Sequence, residues 1–239
     1  MTHERHKLQT LIAGAVLAGL AFVPLYAWLT GDMYVLTLFG RILAFSLAAL
    51  GLNLALGFGG MVSLGHAMYM GLGAYTVGIL SSLGVFSGWI HLGCTAFITI
   101  LIATPLSWVA LRTQGIAFIM ITLAFAQLFY YVFVSLKMFG GDDGISLKQL
   151  SDFGVLTGNK FAIYISLLMA LFLSIWVMHK IVASQFGLLL RASKTNNRRV
   201  KALGSHTLTY RMTAYVISAL LCRSEEHTSE LQSRGLISY

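Results

Sequence analysis

From Ile42 to Leu111 the chain carries no Asp, Glu, Lys or Arg. A soluble domain could hardly hide so long an uncharged run, whereas each crossing of a bilayer needs about 20 mostly apolar residues. Inside the run lies GLNLALGFGGMVSLGHAMYMGLGAYTVGIL, Gly51 to Leu80, rich in Gly, Ala and Ser and holding Asn53 and His66. Small residues let membrane helices pack backbone to backbone, and isolated polar groups at that depth tend to mark function. The expected fold is all-α: a polytopic transmembrane helix bundle.

Composition agrees. Of 239 residues, 57% are hydrophobic and only 10% charged, a membrane-protein balance. The net charge of +8 sits in short segments between apolar runs, the pattern of the positive-inside rule. No contiguous basic face is offered to a phosphate backbone, so no nucleic-acid partner is expected. Cys94 and Cys222 lie in apolar stretches and read as small buried hydrophobes, with no disulfide and no metal site.

Hydropathy gives about six full spans plus the start of a seventh. They are Leu8 to Leu29, Met33 to Leu56, Met61 to Leu83, Ile90 to Leu111, Gly115 to Leu136, Phe161 to Met178, and a last run from Tyr210 to Cys222. The first run is too long for a signal peptide and lacks a small-residue cleavage site. Gly57 to Gly65 is too glycine-rich for a regular helix and reads as a broken or re-entrant piece.

Charge tests this count. Arg5 and Lys7 place the N-terminus in the cytoplasm. By alternation Arg112 also falls inside, as does Ala183 to Arg211, which holds six basic residues and no acid. The loop from Met138 to Lys160, with Asp142, Asp143 and Asp152, falls outside. Arg41, within the second span, reads as a snorkelling side chain.

The end of the chain differs in kind. RSEEHTSELQS, Arg223 to Ser233, follows the seventh apolar run abruptly with three glutamates and resembles a translated sequencing adapter. Residues 223–239 are therefore expected to be a non-native tail. Residues 1–222 would then be one membrane domain, cut short inside a helix.

In the third span Ser63, Ala67, Gly71, Ala74 and Gly78 recur at helical spacing, which predicts one small-residue face suited to close helix contact. Met68, Tyr69, Leu72 and Tyr75 fall on the other side. Asn53, Ser63, Gly65, His66, Gly71 and Tyr75 are the candidates for a translocation pathway or for helix packing. His66 either contacts a solute or gate, or satisfies a backbone carbonyl freed by the glycines before it. Ser63 and His66 are spaced so that a nucleophile and base could meet on a helix, but nothing completes a triad and no catalytic residue is assigned. His91 reads as interfacial.

Ala183 to Leu220 mixes apolar and basic residues. Leu188, Ala192 and Val200 could dock on a surface, Asn196 and Asn197 interrupt the helix, and Gly204 ends it. Such a segment either lies on anionic lipid headgroups or fits a groove on a soluble partner.

The motifs GLNLALGFGG with MVSLGHAMYMGLGAY, LRTQGIAFIMITLAFAQLF (Leu111 to Phe129), GGDDGIS (Gly140 to Ser146) and FGLLLRASKTNNRRVKALG (Phe186 to Gly204) resemble the LivM-type permease subunits of branched-chain amino acid ABC importers. The resemblance covers most of the chain from the second span to Leu220. It implies a non-enzymatic permease of the bacterial inner membrane, working by alternating access. The implied partners are a second, LivH-like permease, two cytoplasmic ABC ATPases, a periplasmic substrate-binding protein and the lipid bilayer. Loop 183–211 would be the coupling segment, with Arg191, Asn197, Ala202 and Gly204 toward the ATPase. Relatives often carry a Glu beside the Asn, where this chain has Asn196, Arg198 and Arg199. The chain lacks the GxxxxGK[ST] phosphate loop, so it is expected to bind no cofactor and to leave ATP to its partners. The alternative reading is a secondary transporter or channel for a small polar solute of the urea or amide type, since glycine-broken spans occur there too.

Overall fold

Helices account for nearly all of the described chain, because a backbone in hydrocarbon must satisfy its own polar groups. The computed structural model describes residues 2–31, 33–136 and 160–233. The elements are α1 (Thr2–Thr30), α2 (Met33–Leu52), a π-helical segment (Asn53–Phe58), α3 (His66–Ser82), α4 (Gly88–Ala110), α5 (Ile116–Ser135), α6 (Lys160–Ala183), α7 (Gln185–Thr195), α8 (Asn197–Ala202) and α9 (Thr207–Ser233). Every expected span corresponds to a helix. Among the described residues, four stretches are long and apolar enough to cross a membrane: Tyr34–Phe58, Gly88–Ala110, Ile116–Ser135 and Phe161–Ala183. The acidic loop and the GGDDGIS motif lie outside the described residues.

Two apolar clusters hold the bundle. Val23 and Ala27 of α1, Leu36, Leu43 and Leu47 of α2, and Tyr164, Leu167 and Leu171 of α6 form one. The other joins Leu54, Met68, Tyr69, Leu72, Ala103, Phe118, Leu190, Ala214 and Tyr215 from the π-helical segment, α3, α4, α5, α7 and α9. Pro24 lies inside α1 and has no N–H to give the carbonyl of Leu20, four residues earlier. The Tyr164 hydroxyl donates to that carbonyl at 2.8 Å, so α6 satisfies the group that the proline orphans.

The contact between α2 and α9 is closer still. A Cβ on Gly51 would stand 2.8 Å from both the Ser218 carbonyl oxygen and the Leu221 Cβ, nearer than packed side chains tolerate. The bare backbone lets the Ser218 hydroxyl donate to the Gly51 carbonyl at 2.6 Å. One turn on, the Cys222 thiol donates to the Ala48 carbonyl at 3.4 Å.

The start of α3 and the side on which it packs need correction. Helix α3 starts at His66 rather than Met61, so Ser63 is not on the helix. Most of the small-residue side of α3 is not what packs: Ala67 is exposed and Gly71 and Ala74 are half-buried, though Gly78 is buried, while Met68, Tyr69 and Leu72 are buried and Tyr75 half-buried. The larger side chains win because they exclude more apolar area per residue. His91 is fully buried, and its Nε2 donates to the Val85 carbonyl at 2.7 Å, pinning the α3–α4 connection. Arg41 is exposed on α2, as a snorkelling side chain requires. Helix α9 continues past Cys222 to Ser233, and the buried Arg223 donates to Leu92 O at 3.2 Å and to Thr95 Oγ1.

Candidate functional site

The glycine-rich break places backbone where a helix would otherwise run. After α2 the chain widens into the π-helical segment, then straightens from Gly60 to Gly65 before α3 begins. Gly60 has φ +64, a left-handed conformation that glycine adopts without a Cβ penalty. Irregular backbone at this depth needs partners from neighbouring helices. It finds them in Thr122 of α5 and in Tyr215 and Ser218 of α9.

The Leu64 amide donates to Thr122 Oγ1 at 3.3 Å, and the Gly65 amide donates to Ser63 Oγ at 3.2 Å. Gly65 also packs directly against the Thr122 backbone. Ser63 Oγ and the Tyr215 hydroxyl share a hydrogen bond of 3.1 Å. His66 Nε2 lies 2.9 Å from Ser218 Oγ, with its ring edge-on to Tyr215 at a centroid distance of 4.9 Å. Tyr69 and Phe118 also meet Tyr215 edge to face, at 6.1 and 6.4 Å. Ser63, His66, Thr122 and Ser218 are all buried. The result is a polar knot joining α2, α3, α5 and α9 inside an apolar bundle.

The proton arithmetic of this knot limits its chemistry. Ser218 has one hydroxyl proton, and it goes to the Gly51 carbonyl. His66 Nε2 must then be the donor to Ser218 Oγ, so the imidazole is not placed to take a proton from Ser218. Ser63 bonds Tyr215. Neither serine is therefore set up as a nucleophile with its base, and the knot braces helices instead.

Of the pathway candidates, Ser63, Gly65 and His66 come together here. Asn53 is exposed at the start of the π-helical segment, with its amide lying over Gly57. Gly71 faces open space. Tyr75 stacks on Phe133 of α5 at 4.2 Å with an interplanar angle of 10°, a helix–helix contact.

The second feature is the segment α7–α8. Ser184 precedes α7 and Asn196 separates the two helices. Asn196 Oδ1 accepts from the Arg199 amide at 3.1 Å, the side-chain cap that starts a new helix. At the far end Gly204 has φ +81, and its amide donates to Lys201 O at 3.0 Å while the Ser205 amide donates to Val200 O at 3.4 Å. That pair of bonds is a Schellman motif. Leu190, Ser193 and Val200 face inward. Leu188 is exposed, and at the tip Ala202, Leu203 and Gly204 are exposed, Leu203 by 83%.

Arg191 turns back to the α6–α7 elbow, donating from Nε to Gly187 O at 3.3 Å and from Nη2 to Val182 O at 3.0 Å. Lys194 instead reaches the glycine-rich break and donates from Nζ to Gly57 O at 2.8 Å. Between α7–α8, residues Gly59–Val62 and the starts of α5 and α9 lies a cavity of about 600 Å³, lined by Asn197 among others.

Sequence reasoning missed Thr122, Tyr215, Ser218 and Lys194. Tyr215 and Ser218, three apart in an apolar run, were the one available signal. Among the described residues no three His, Cys, Asp or Glu side chains gather as a metal site would require.

A family model described as branched-chain amino acid transport system / permease component matches residues 34–222. Comparison with curated proteins and with solved structures found no match.

Proposed function

Because the chain belongs to the permease-component family of branched-chain amino acid transport systems, a family of ABC-type membrane transport components rather than enzymes, we propose that it is the membrane-spanning subunit of an ATP-driven importer for branched-chain or similar apolar amino acids. The carrying observation is the family match over residues 34–222. The architecture supports it: a short helical segment between two long helices clamps its inner face on the bundle and leaves Ala202, Leu203 and Gly204 free at its tip.

In this reading the N-terminus and α7–α8 face the cytoplasm of a bacterial inner membrane. Two partner ATPases bind ATP and grip the tip, and a LivH-like permease completes the pathway. A periplasmic binding protein selects the solute. The polar knot offers hydroxyls and one imidazole but no charged group, which suits a subunit that leaves recognition of the solute's ends to the binding protein. Movement of α7–α8 passes through Lys194 to the glycine-rich break, so the two access states must differ in their affinity for the ATPases.

The test is co-purification with the ATPases encoded beside the gene. Leu203→Asp should abolish it while leaving the unfolding midpoint of the permease within about 0.5 kcal/mol of the parent, because the side chain is exposed. A chain that transports in proteoliposomes without ATP or ATPases would establish the secondary-transport alternative instead.

A further inference from the structure

We propose that the cavity beneath α7–α8 is a binding site for a phosphate-bearing anion, supplied either by an anionic phospholipid headgroup or by free phosphate. Lys194, Arg198 and Lys201 of the coupling segment and Arg211 of α9 all line it, together with Asn197, and no Asp or Glu does.

The missing carboxylate is a property of the chain and not of the cavity alone. Between Asp32 and Asp142, and again between Asp152 and Glu225, the sequence holds no acid. Glu225 lies on the order of 20 Å beyond Arg211 along α9 at helical rise. Four cations converge with no internal counter-charge among the described side chains. Arginine keeps its proton under all ordinary conditions, so its charge must be met from outside.

Two buried polar atoms sharpen the chemistry. Arg211 Nε and Asn197 Oδ1 are shielded from solvent and have no hydrogen-bond partner among the described residues. The first asks for an acceptor and the second for a donor. A singly protonated phosphate offers both, and so does a phosphodiester whose headgroup carries a hydroxyl. Guanidinium groups match phosphate oxygens in geometry as well as charge. A zwitterionic amino acid fits less well, because no Asp or Glu lines the cavity to meet the charge of its ammonium group. The inference is independent of which solute the importer carries.

The experiment uses the full 239-residue chain in phosphatidylcholine nanodiscs, with the thermal unfolding midpoint as readout. Inorganic phosphate is titrated in one arm, and phosphatidylglycerol replaces part of the lipid in the other. A saturable rise with phosphate identifies the free anion, and a rise with phosphatidylglycerol that phosphate does not augment identifies the headgroup. Either result supports the site, provided that Arg211→Gln and the exposed Lys201→Gln each weaken the response about tenfold, the scale of one charge-assisted hydrogen bond. Lys180→Gln, on α6 over the Trp176 ring and outside the cavity, should keep it. No shift in either arm overturns the proposal. So does an equal loss in Lys180→Gln, or a shift that appears only when ATPase subunits are added.

Discussion

Lys194 Nζ donates to the carbonyl oxygen of Gly57 across 2.8 Å, tying α7 to the last turn of the π-helical segment. A carbonyl at a helix end lacks an intrahelical partner, and a cation there also meets the negative end of the helix dipole. The stem of Lys194 packs over Gly60, where a Cβ would come within 2.7 Å of its Cγ. Lys194 therefore links the α7–α8 segment directly to the irregular backbone.

Lys194→Met keeps the stem and removes the bond. Because the contact is exposed, the stability change should stay below about 1 kcal/mol. Solute uptake per ATP hydrolysed, measured in reconstituted importer, should fall while ATP turnover persists. A parallel fall in uptake and hydrolysis would show that Lys194 does not carry the movement.

Gly51→Ala forces a methyl group against the α9 backbone and should cost about 1–3 kcal/mol, the usual range for overpacking. Gly71→Ala points into open space and should be neutral or gain up to about 1 kcal/mol from helix propensity. Unfolding midpoints of the two variants in one detergent make the comparison. Equal destabilisation would contradict the close approach of α2 and α9.

The His66–Ser218 pair can be weighed by a double-mutant cycle with His66→Ala and Ser218→Ala. Hydrogen bonds between membrane helices average about 0.6 kcal/mol in such cycles. This pair should exceed that average, at about 1 kcal/mol, because Ser218 also satisfies Gly51. Additive losses would mean that the contact contributes nothing of its own.

Gly204→Val should strain the Schellman turn by about 1–2 kcal/mol, since a side chain disfavours the left-handed conformation. Gly204→Asn should be much milder, because asparagine tolerates it. The expected readout is weaker ATPase co-purification for valine and near-parental recovery for asparagine. Equal recovery of both would remove Gly204 from the coupling geometry.

Much of this was legible from residue order alone. Hydropathy located the longer helices, though not α7 and α8, because burial in lipid acts on composition averaged over a span. The glycine run before Met61 foretold a break, but not that α2 would widen into a π-helix or that α3 would wait until His66. Periodicity put Ala67, Gly71 and Ala74 on one face without saying which way the face looks. Direction depends on neighbours far off in sequence. The same holds for Ser63 with Tyr215 and His66 with Ser218, partners 152 residues apart. The bond of His91 could not be read from residue type, because its acceptor is a backbone carbonyl. The coupling segment was the most readable piece, since caps and charges are local signals. Its inward face, Leu190 and Ser193, is set by helices distant in sequence.

The missing acids have one last consequence, for acid tolerance. Acid usually unfolds proteins by protonating carboxylates that the native state holds ionised. None of the described side chains is a carboxylate, so mild acid removes no ion pair among them. The described bundle therefore lacks the groups through which acid ordinarily pulls a fold apart.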